Sequence, residues 1–431
     1  MTAHVPTARL TGERLLDDMT PAERERAARV EQVLPALRAA AAQADADKAF
    51  PVGHVELLRE AGLLGLVVPE EYGGLGGTLR DLAAATFAMG TACPSTALAF
   101  FFHNTSASRG LLPLEAIDSG LFAADEEPVV KAFADKILQR MAAGVWMANF
   151  ASESVKSSSA NIAIATTATP AEGGWVLNGE KSFGCATGVA DTYLVTARIE
   201  GTTTADGLAL FLVPRSAPGV SARPAWDGLG MRGSANDGCR LNDVFVPADE
   251  ALTVPGAFVK MLQCSRGSFV GNQLAITAVY VGCAQNLYDD TLARLTGKTF
   301  ADTGRPIAES PMHQVIIGDM TERLETAHLW LRRQLLLETC EPPIATKSEV
   351  YAQWRIAKGS ICQAAFDVAV GAFKASGTSA ATMNGIVGRG LRDLAMGLVM
   401  TFPPERGRLE AASVITANRA NELFANQAVT R

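Results

Sequence analysis

Charge is scarce in this sequence. Asp, Glu, Lys and Arg make up 19% of its 431 residues, against about 25% in a typical soluble domain. The shortfall points to surface buried in an assembly. Aromatic residues are few, at 6%. The seven cysteines (Cys93, Cys185, Cys239, Cys264, Cys283, Cys340 and Cys362) form no C-x-x-C pair. An odd, scattered set of thiols excludes a disulfide framework and fits a reducing, cytoplasmic setting. The five histidines make no H-x-x-x-H and no Cys/His cluster, which argues against a zinc centre. The apolar run 97–102 ends at His103 and Asn104, far short of the roughly 18 residues of a membrane span. The stretch holding Arg9, Glu13 and Arg14 lacks the apolar core of a secretory signal. A net charge of -7 offers no chain-wide basic surface, so neither a nucleic-acid partner nor a membrane is expected. Local donors would have to hold any anionic ligand.

What is present divides into three. The length predicts two or three domains, and no stretch combines low hydropathy with the high charge of a disordered tail. Residues 1–145 read as helical. Thr20-Pro21-Ala22-Glu23 is a capping box with proline at the first helical position. Behind it Val30, Val33, Leu34, Leu37 and Ala41 share a face, with Pro35 expected to kink the helix. Further helices are predicted from about Val55 to Gly62, from Leu79 to Met89 and over 129–141. Residues 146–255 switch to period two. Ile162, Ile164 and Thr166 alternate, as do Tyr193, Val195 and Ala197, then Leu208, Leu210 and Leu212. Asn178-Gly179 reads as a hairpin turn. These features predict a small antiparallel β domain. Residues 256–431 return to the helical period. Met320, Leu324, Ala327, Leu331 and Leu335 form one stripe, and alanine-rich helices follow over 346–375 and 384–400. That segment has the size of a helix bundle. The fold class is therefore multi-domain α+β: N-terminal helices, a middle antiparallel β domain and a C-terminal helical bundle.

Gly228-Leu229-Gly230-Met231-Arg232-Gly233 fits G-x-G-x-x-G. A dinucleotide fingerprint needs a strand before it and a helix after it. Here Pro224-Ala225-Trp226-Asp227 precedes and Ser234-Ala235-Asn236-Asp237-Gly238 follows, so the motif is a decoy.

Other motifs form an ordered set. They are Ser152-Glu153, the run from Trp175-Val176-Leu177 through Asn178-Gly179-Glu180-Lys181-Ser182-Phe183, Gly188-Val189-Ala190-Asp191, Leu229-Gly230-Met231-Arg232-Gly233-Ser234, and Asp243-Val244-Phe245-Val246-Pro247. Leu58-Arg59-Glu60-Ala61-Gly62-Leu63-Leu64-Gly65 and Val68-Pro69-Glu70-Glu71-Tyr72-Gly73-Gly74 precede them. His313-Gln314, Gly318-Asp319-Met320 and Arg392-Asp393 follow. In this order and spacing the chain resembles the acyl-CoA dehydrogenase family over nearly its whole length. The resemblance implies that family's three-part fold and FAD, shared between subunits of a homotetramer built as a dimer of dimers. By position it implies that Ser152 faces the flavin and that Phe183 packs on its ring. Cys185 stands where the family has a threonine, and a thiol is a weaker donor than a hydroxyl. Ser158 falls in a loop that normally reads Gly-x-Gly-Ser, here Val155-Lys156-Ser157-Ser158. From a neighbouring subunit, Phe300, His313 and Gln314 would meet the cofactor. Gly297 replaces a phosphate-binding arginine, with Lys298 beside it. Ser376-Gly377-Thr378 replaces a glycine-rich turn, whose backbone N–H groups could still meet the pyrophosphate.

The activity implied is desaturation of an acyl thioester at Cα–Cβ, with electrons passed to an acceptor protein. That chemistry needs a glutamate base. Eight residues past Asp393 stands Thr401, which cannot serve, and the alternative position on the first bundle helix is Asn272. Glu405, four residues past Thr401, is the remaining candidate. Some members of the superfamily are instead monooxygenases fed by a flavin reductase. They need no carboxylate base, and His103 is the candidate residue near the flavin in that reading. A third possibility is a silent member acting as a binding or assembly subunit.

Overall fold

A computed structural model of the chain describes residues 9–154, 164–267 and 273–428. The N-terminal part holds six helices: α1 (Pro21–Asp47), α2 (Gly53–Glu60), α3 (Leu79–Ala92), α4 (Pro94–Asn104), α5 (Ser108–Asp118) and α6 (Glu127–Ala142). The capping box starts α1. Thr20 Oγ accepts from Glu23 N at 3.2 Å, and the Glu23 carboxylate accepts from Thr20 N at 2.7 Å. Pro35 lies inside α1 without ending it. Nearly every residue of α3 and α4 is buried, and neither shows a polar face.

The middle part is an eight-stranded sheet: β1 (Met147–Phe150), β2 (Thr167–Ala171), β3 (Gly174–Lys181), β4 (Thr192–Ile199), β5 (Leu208–Pro214), β6 (Val220–Ala222), β7 (Cys239–Pro247) and β8 (Ala251–Leu252). The order is β6-β7-β3-β2-β4-β5-β8, with β1 also on β4. Pairing is antiparallel except that β1 and β2 both run parallel to β4. Asn178-Gly179 is not the hairpin turn. Residues 172–173 make that turn between β2 and β3, with Gly173 at φ 75°. Asn178 and Gly179 lie inside β3, at a register shift against β7. A Cβ on Gly179 would stand 2.7 Å from Thr166 Cα. The same dipeptide chemistry that favours a turn here admits a bulge and a close approach.

The C-terminal part contains α7 (Ala257–Gln263), α8 (Gln273–Gly297), α9 (Pro311–Thr339), α10 (Lys347–Ser376), α11 (Ile386–Val399) and α12 (Pro404–Ala428). The stripe from Met320 to Leu335 is buried along α9. By length and composition α10 could cross a membrane, but most of that stretch is buried. It packs against α8, α9, α11 and α12.

The three parts are pinned together beside the cavity described next. Arg392 on α11 makes a two-point ion pair with Asp45 on α1, at 2.9 and 2.5 Å. Met231 N donates to Asp393 Oδ1 at 2.6 Å. The decoy glycines serve this seam: a Cβ on Gly230 would lie 2.2 Å from Arg392 O. The local structure is a short 3-10 turn over Arg232–Ser234, without the strand and helix of a dinucleotide site.

Candidate functional site

A cavity of about 490 Å³ opens where all three parts meet. One wall comes from the end of α4 and the start of α5, with Phe101, Phe102, Thr105 and Arg109. A second comes from the end of β1 and the segment after β3, with Asn149, Ser152, Phe183 and Cys185. Trp226 and Asn236 add the loop before β7. Ile276 of α8 and Met396, Val399, Met400 and Thr401 from the end of α11 close it.

The sheet wall is held by a buried ion pair. Glu153 follows Ser152, and Lys181 ends β3. Their side chains are 3% and 0% exposed, with Lys181 Nζ 2.5 Å from Glu153 Oε1. Burial opposes both charges. In Glu153 the lysine and the hydrogen bonds outweigh it and hold the carboxyl below its usual range. In Lys181 burial wins and lowers the ammonium pKa. Lys181 also donates to Thr196 O at 2.5 Å, and Glu153 accepts from the Thr166 hydroxyl at 2.6 Å. Ser182 N donates to Ser152 O at 2.8 Å. These contacts fix the backbone on both sides of Ser152 and Phe183.

Phe183 is 48% exposed and meets Trp226 edge-on at 5.6 Å between ring centroids. An aromatic left open on a cavity wall is apolar surface that a planar ring would cover, so the residues present fit a flavin ring. The Cys185 thiol donates to Asn236 Oδ1 at 2.5 Å. Burial pushes its pKa well up, so it stays a neutral thiol.

Ser152, Phe183 and Cys185 therefore share one cavity. Ser158 lies outside the described residues. Lys298, Phe300, His313, Gln314, Ser376, Gly377 and Thr378 lie elsewhere, where the end of α8, the start of α9 and the end of α10 converge. Ile307 N donates to Lys298 O at 2.8 Å, and the Ser310 hydroxyl pairs with His313 Nδ1 at 2.6 Å. None of these seven lines the cavity. Arg294, not singled out by the sequence reading, lies at this end in an ion pair with Asp290 at 2.7 Å. It stands one turn before Gly297 and donates to Ser376 Oγ at 2.9 Å.

The two catalytic candidates are corrected. His103 is fully buried behind the wall, not on it. Its Nε2 donates to Leu64 O at 2.7 Å and its Nδ1 accepts from Met147 N at 3.0 Å, a tautomer assigned from those partners. Burial drives its pKa down to about 4. With both nitrogens committed to backbone, His103 holds α4 against β1 and cannot meet a flavin or substrate. Glu405 fails for a different reason. Thr401 takes the left-handed region, φ 67°, and the chain turns away from the cavity there. The Lys358 ammonium secures the turn, donating to Phe402 O at 2.6 Å and Gly397 O at 2.9 Å. Glu405 follows on the outer side, its side chain 76% exposed and 3.4 Å from Arg408. Glu405→Gln is expected to behave as a surface substitution, changing the turnover rate by no more than about twofold and stability by no more than about 0.5 kcal/mol. A larger loss on steady-state assay would return Glu405 to the site.

The described lining holds no Asp, Glu or His. The stretches 155–163 and 268–272, outside the described residues, contain none in their sequence.

Profiles of the acyl-CoA dehydrogenase N-terminal, middle and C-terminal domains match residues 20–113, 148–244 and 274–400. The probable acyl-CoA dehydrogenase YngJ of Bacillus subtilis is 29% identical, over 70% of this chain and 75% of its own. The amino sugar nitrososynthase DnmZ of Streptomyces peucetius is 31% identical, over 67% of this chain and 68% of its own. Among solved structures, KijD3 in complex with FMN and dTDP-3-amino-2,3,6-trideoxy-4-keto-3-methyl-D-glucose superposes with a TM-score of 0.77. It is 26% identical and covers 96% of this chain and 97% of its own.

Proposed function

The chain belongs to the acyl-CoA dehydrogenase family, a family of flavin-dependent oxidoreductases, and from that premise we propose that it is a monooxygenase on the dehydrogenase scaffold. The observation that carries this reading is the cavity wall without a carboxylate or imidazole among its described residues. Removal of an α-proton from a thioester needs a base within reach of that proton. Thr401 cannot act as one, and Glu405 faces solvent. Oxygen insertion asks for a dry, enclosed pocket instead. A reduced flavin supplies two electrons to molecular oxygen, one atom of which enters the substrate while the other leaves as water. Phe183 and Trp226 would bind the ring, while Phe101, Phe102 and Met396 keep water from the reacting atoms. The likeness to DnmZ and to the FMN complex of KijD3 supports this reading, with a nitrogen-bearing substrate as the first class to test.

For the cofactor we favour FAD. Arg294, Lys298, Phe300, His313 and the 376–378 turn form a polar end that a second copy could offer to an adenylate. A homotetramer would complete such a site, and a separate reductase would deliver electrons in the cytoplasm.

Two measurements test the reading. Oxidised holoprotein, mixed without oxygen with acyl thioesters of graded length, should show no flavin bleaching. Holoprotein with a generic flavin reductase and oxygen should convert primary amines or amino sugars to products heavier by one oxygen atom. Bleaching by any thioester would overturn the proposal in favour of desaturation. Failure to bind any flavin would favour the silent subunit.

A further inference from the structure

One amide on the cavity wall is committed on its nitrogen side and open on its oxygen side. Asn149, the third residue of β1, lines the cavity together with Phe102 and Ser152. Its Nδ2 donates to Phe102 O at 2.9 Å, to Ser106 Oγ at 2.8 Å and to Thr105 Oγ1 at 3.1 Å. A main-chain carbonyl can only accept, so the Phe102 contact identifies which end of the amide is nitrogen. All three acceptors belong to the end of α4 and the turn that follows it, on one side of the Asn149 side chain. The amide is planar, so Oδ1 points away from that corner. Among the described residues Oδ1 has no hydrogen-bond partner, and unlike Asn104 Oδ1 it is not sealed from solvent. The strand neighbours Ala148 and Phe150 are fully buried, so the part of Asn149 that stays open is the part on the cavity.

That oxygen has no equal in the described lining. Side-chain amides there belong to Asn149 and Asn236 alone, and Asn236 Oδ1 already takes the Cys185 thiol. The described lining has no carboxylate to add. An ammonium brought into the cavity would find no such partner on that wall, and an unpaired buried charge is costly. A neutral amine avoids that cost. It still needs an acceptor for its N–H, because a buried donor left unmatched loses the hydrogen bond it had with water.

We propose that Asn149 is a substrate-binding residue whose Oδ1 accepts an N–H of the substrate's amine, bound as the free base. The substrate is then a primary or secondary amine with its apolar body against Phe101, Phe102 and Met396. One N–H is tied to β1, and the nitrogen lone pair is left uncommitted for the incoming oxygen atom. The three bonds on Nδ2 fix where the acceptor stands before any ligand arrives, so binding orders little on the protein side. The inference deepens the monooxygenase reading and rests on it for the role of the amine.

The test measures binding to the flavin-loaded protein, with no turnover involved. The probes are aniline and para-butylaniline, amines that stay neutral in water at neutral pH. Each is paired with the hydrocarbon that carries a methyl group in place of the amino group. Dissociation constants are read from the flavin difference spectrum and from thermal shift. The hydrocarbon reports on the shape of the cavity, and the ratio of the two constants reports on the N–H. Asn149→Leu keeps the size of the side chain and removes the acceptor. In that variant the preference for an amine relative to its hydrocarbon should fall by about twofold or more, the net worth of a neutral hydrogen bond. A fall of less than about twofold in both pairs overturns the proposal. So does a wild type that binds neither amine. If loss of the Nδ2 contacts keeps Asn149→Leu from loading flavin, Asn149→Ala takes its place, judged by the same ratio. Thioester bleaching and oxygenated products bear on the monooxygenase reading alone, so the two proposals can fail separately.

Discussion

Lys181→Met should remove about 3–5 kcal/mol of stability, the cost of leaving one member of a buried ion pair alone. The side chain of Lys181 is fully buried and that of Glu153 nearly so. Among the described residues, loss of the ammonium leaves the Glu153 carboxylate with the Thr166 hydroxyl and the N–H groups of Ala165 and Thr166. Thr196 O loses its donor as well. Such a loss should lower the melting temperature by an amount of order 10 °C. Flavin affinity should fall with it, because the pair flanks Ser152 and Phe183 and both line the cavity. The double variant Lys181→Met with Glu153→Gln separates a lost attraction from a stranded charge. Glutamine can still accept from Thr166, so the double variant should be more stable than the single one. Thermal melts of the four proteins decide this. If Lys181→Met melts like wild type, the pair does not hold the wall.

Parts of this architecture are legible in the sequence because their causes are local. Thr20 and Glu23 start α1 through hydrogen bonds that span three residues, and no tertiary context is needed to see them. The Met320–Leu335 stripe is legible because α9 keeps one face exposed. Helix α4 is not, since burial on every side erases the polar face that periodicity depends on. Asn178-Gly179 misleads because a turn and a bulge ask for the same residues. The approach of Thr166, thirteen residues before Gly179, decides between them.

The site divides in the same way. Ser152, Phe183 and Cys185 could be placed by resemblance alone, and they share one wall of the cavity. His103 misled because a histidine ending an apolar run looks the same whether it serves a ligand or a backbone carbonyl. Only the Leu64 and Met147 contacts tell the two apart. Arg294 is not legible because it stands one turn before Gly297, the position that the family resemblance singles out.

Acid should destabilise the chain well above the pH at which ordinary carboxylates titrate. His103 and His328 are both buried, and burial draws each pKa from 6.5 to about 4. His328 is 3.2 Å from Gln285 through Nε2, while its Nδ1 is buried with no partner among the described residues. In the unfolded chain both imidazoles take a proton as the pH falls below about 6.5. In the folded chain they refuse it until about 4. The stability they confer is complete above 6.5 and is lost as the pH falls toward 4, about 3 kcal/mol for each histidine. Asp393 works in the opposite sense. Burial raises its carboxyl to about 6, against the pull of Met231 N, with Asp45 adding to the rise and Arg389 and Arg392 opposing it. Its contribution is present below about 4 and is lost as the pH rises through 6, again about 3 kcal/mol. Between pH 6 and 4 the two histidines outweigh the aspartate by one proton. Net stability should therefore fall by about 1.4 kcal/mol per pH unit on acidification. Asp393→Asn keeps the acceptor for Met231 N but removes the opposing titration, so the acid slope should steepen toward twice that value. His328→Gln should flatten it instead, whatever its effect on absolute stability. Urea midpoints measured from about pH 7 down to about pH 4.5 give these slopes directly. A wild-type curve that is flat over that interval would mean that at least one of these histidines takes its proton in the folded state.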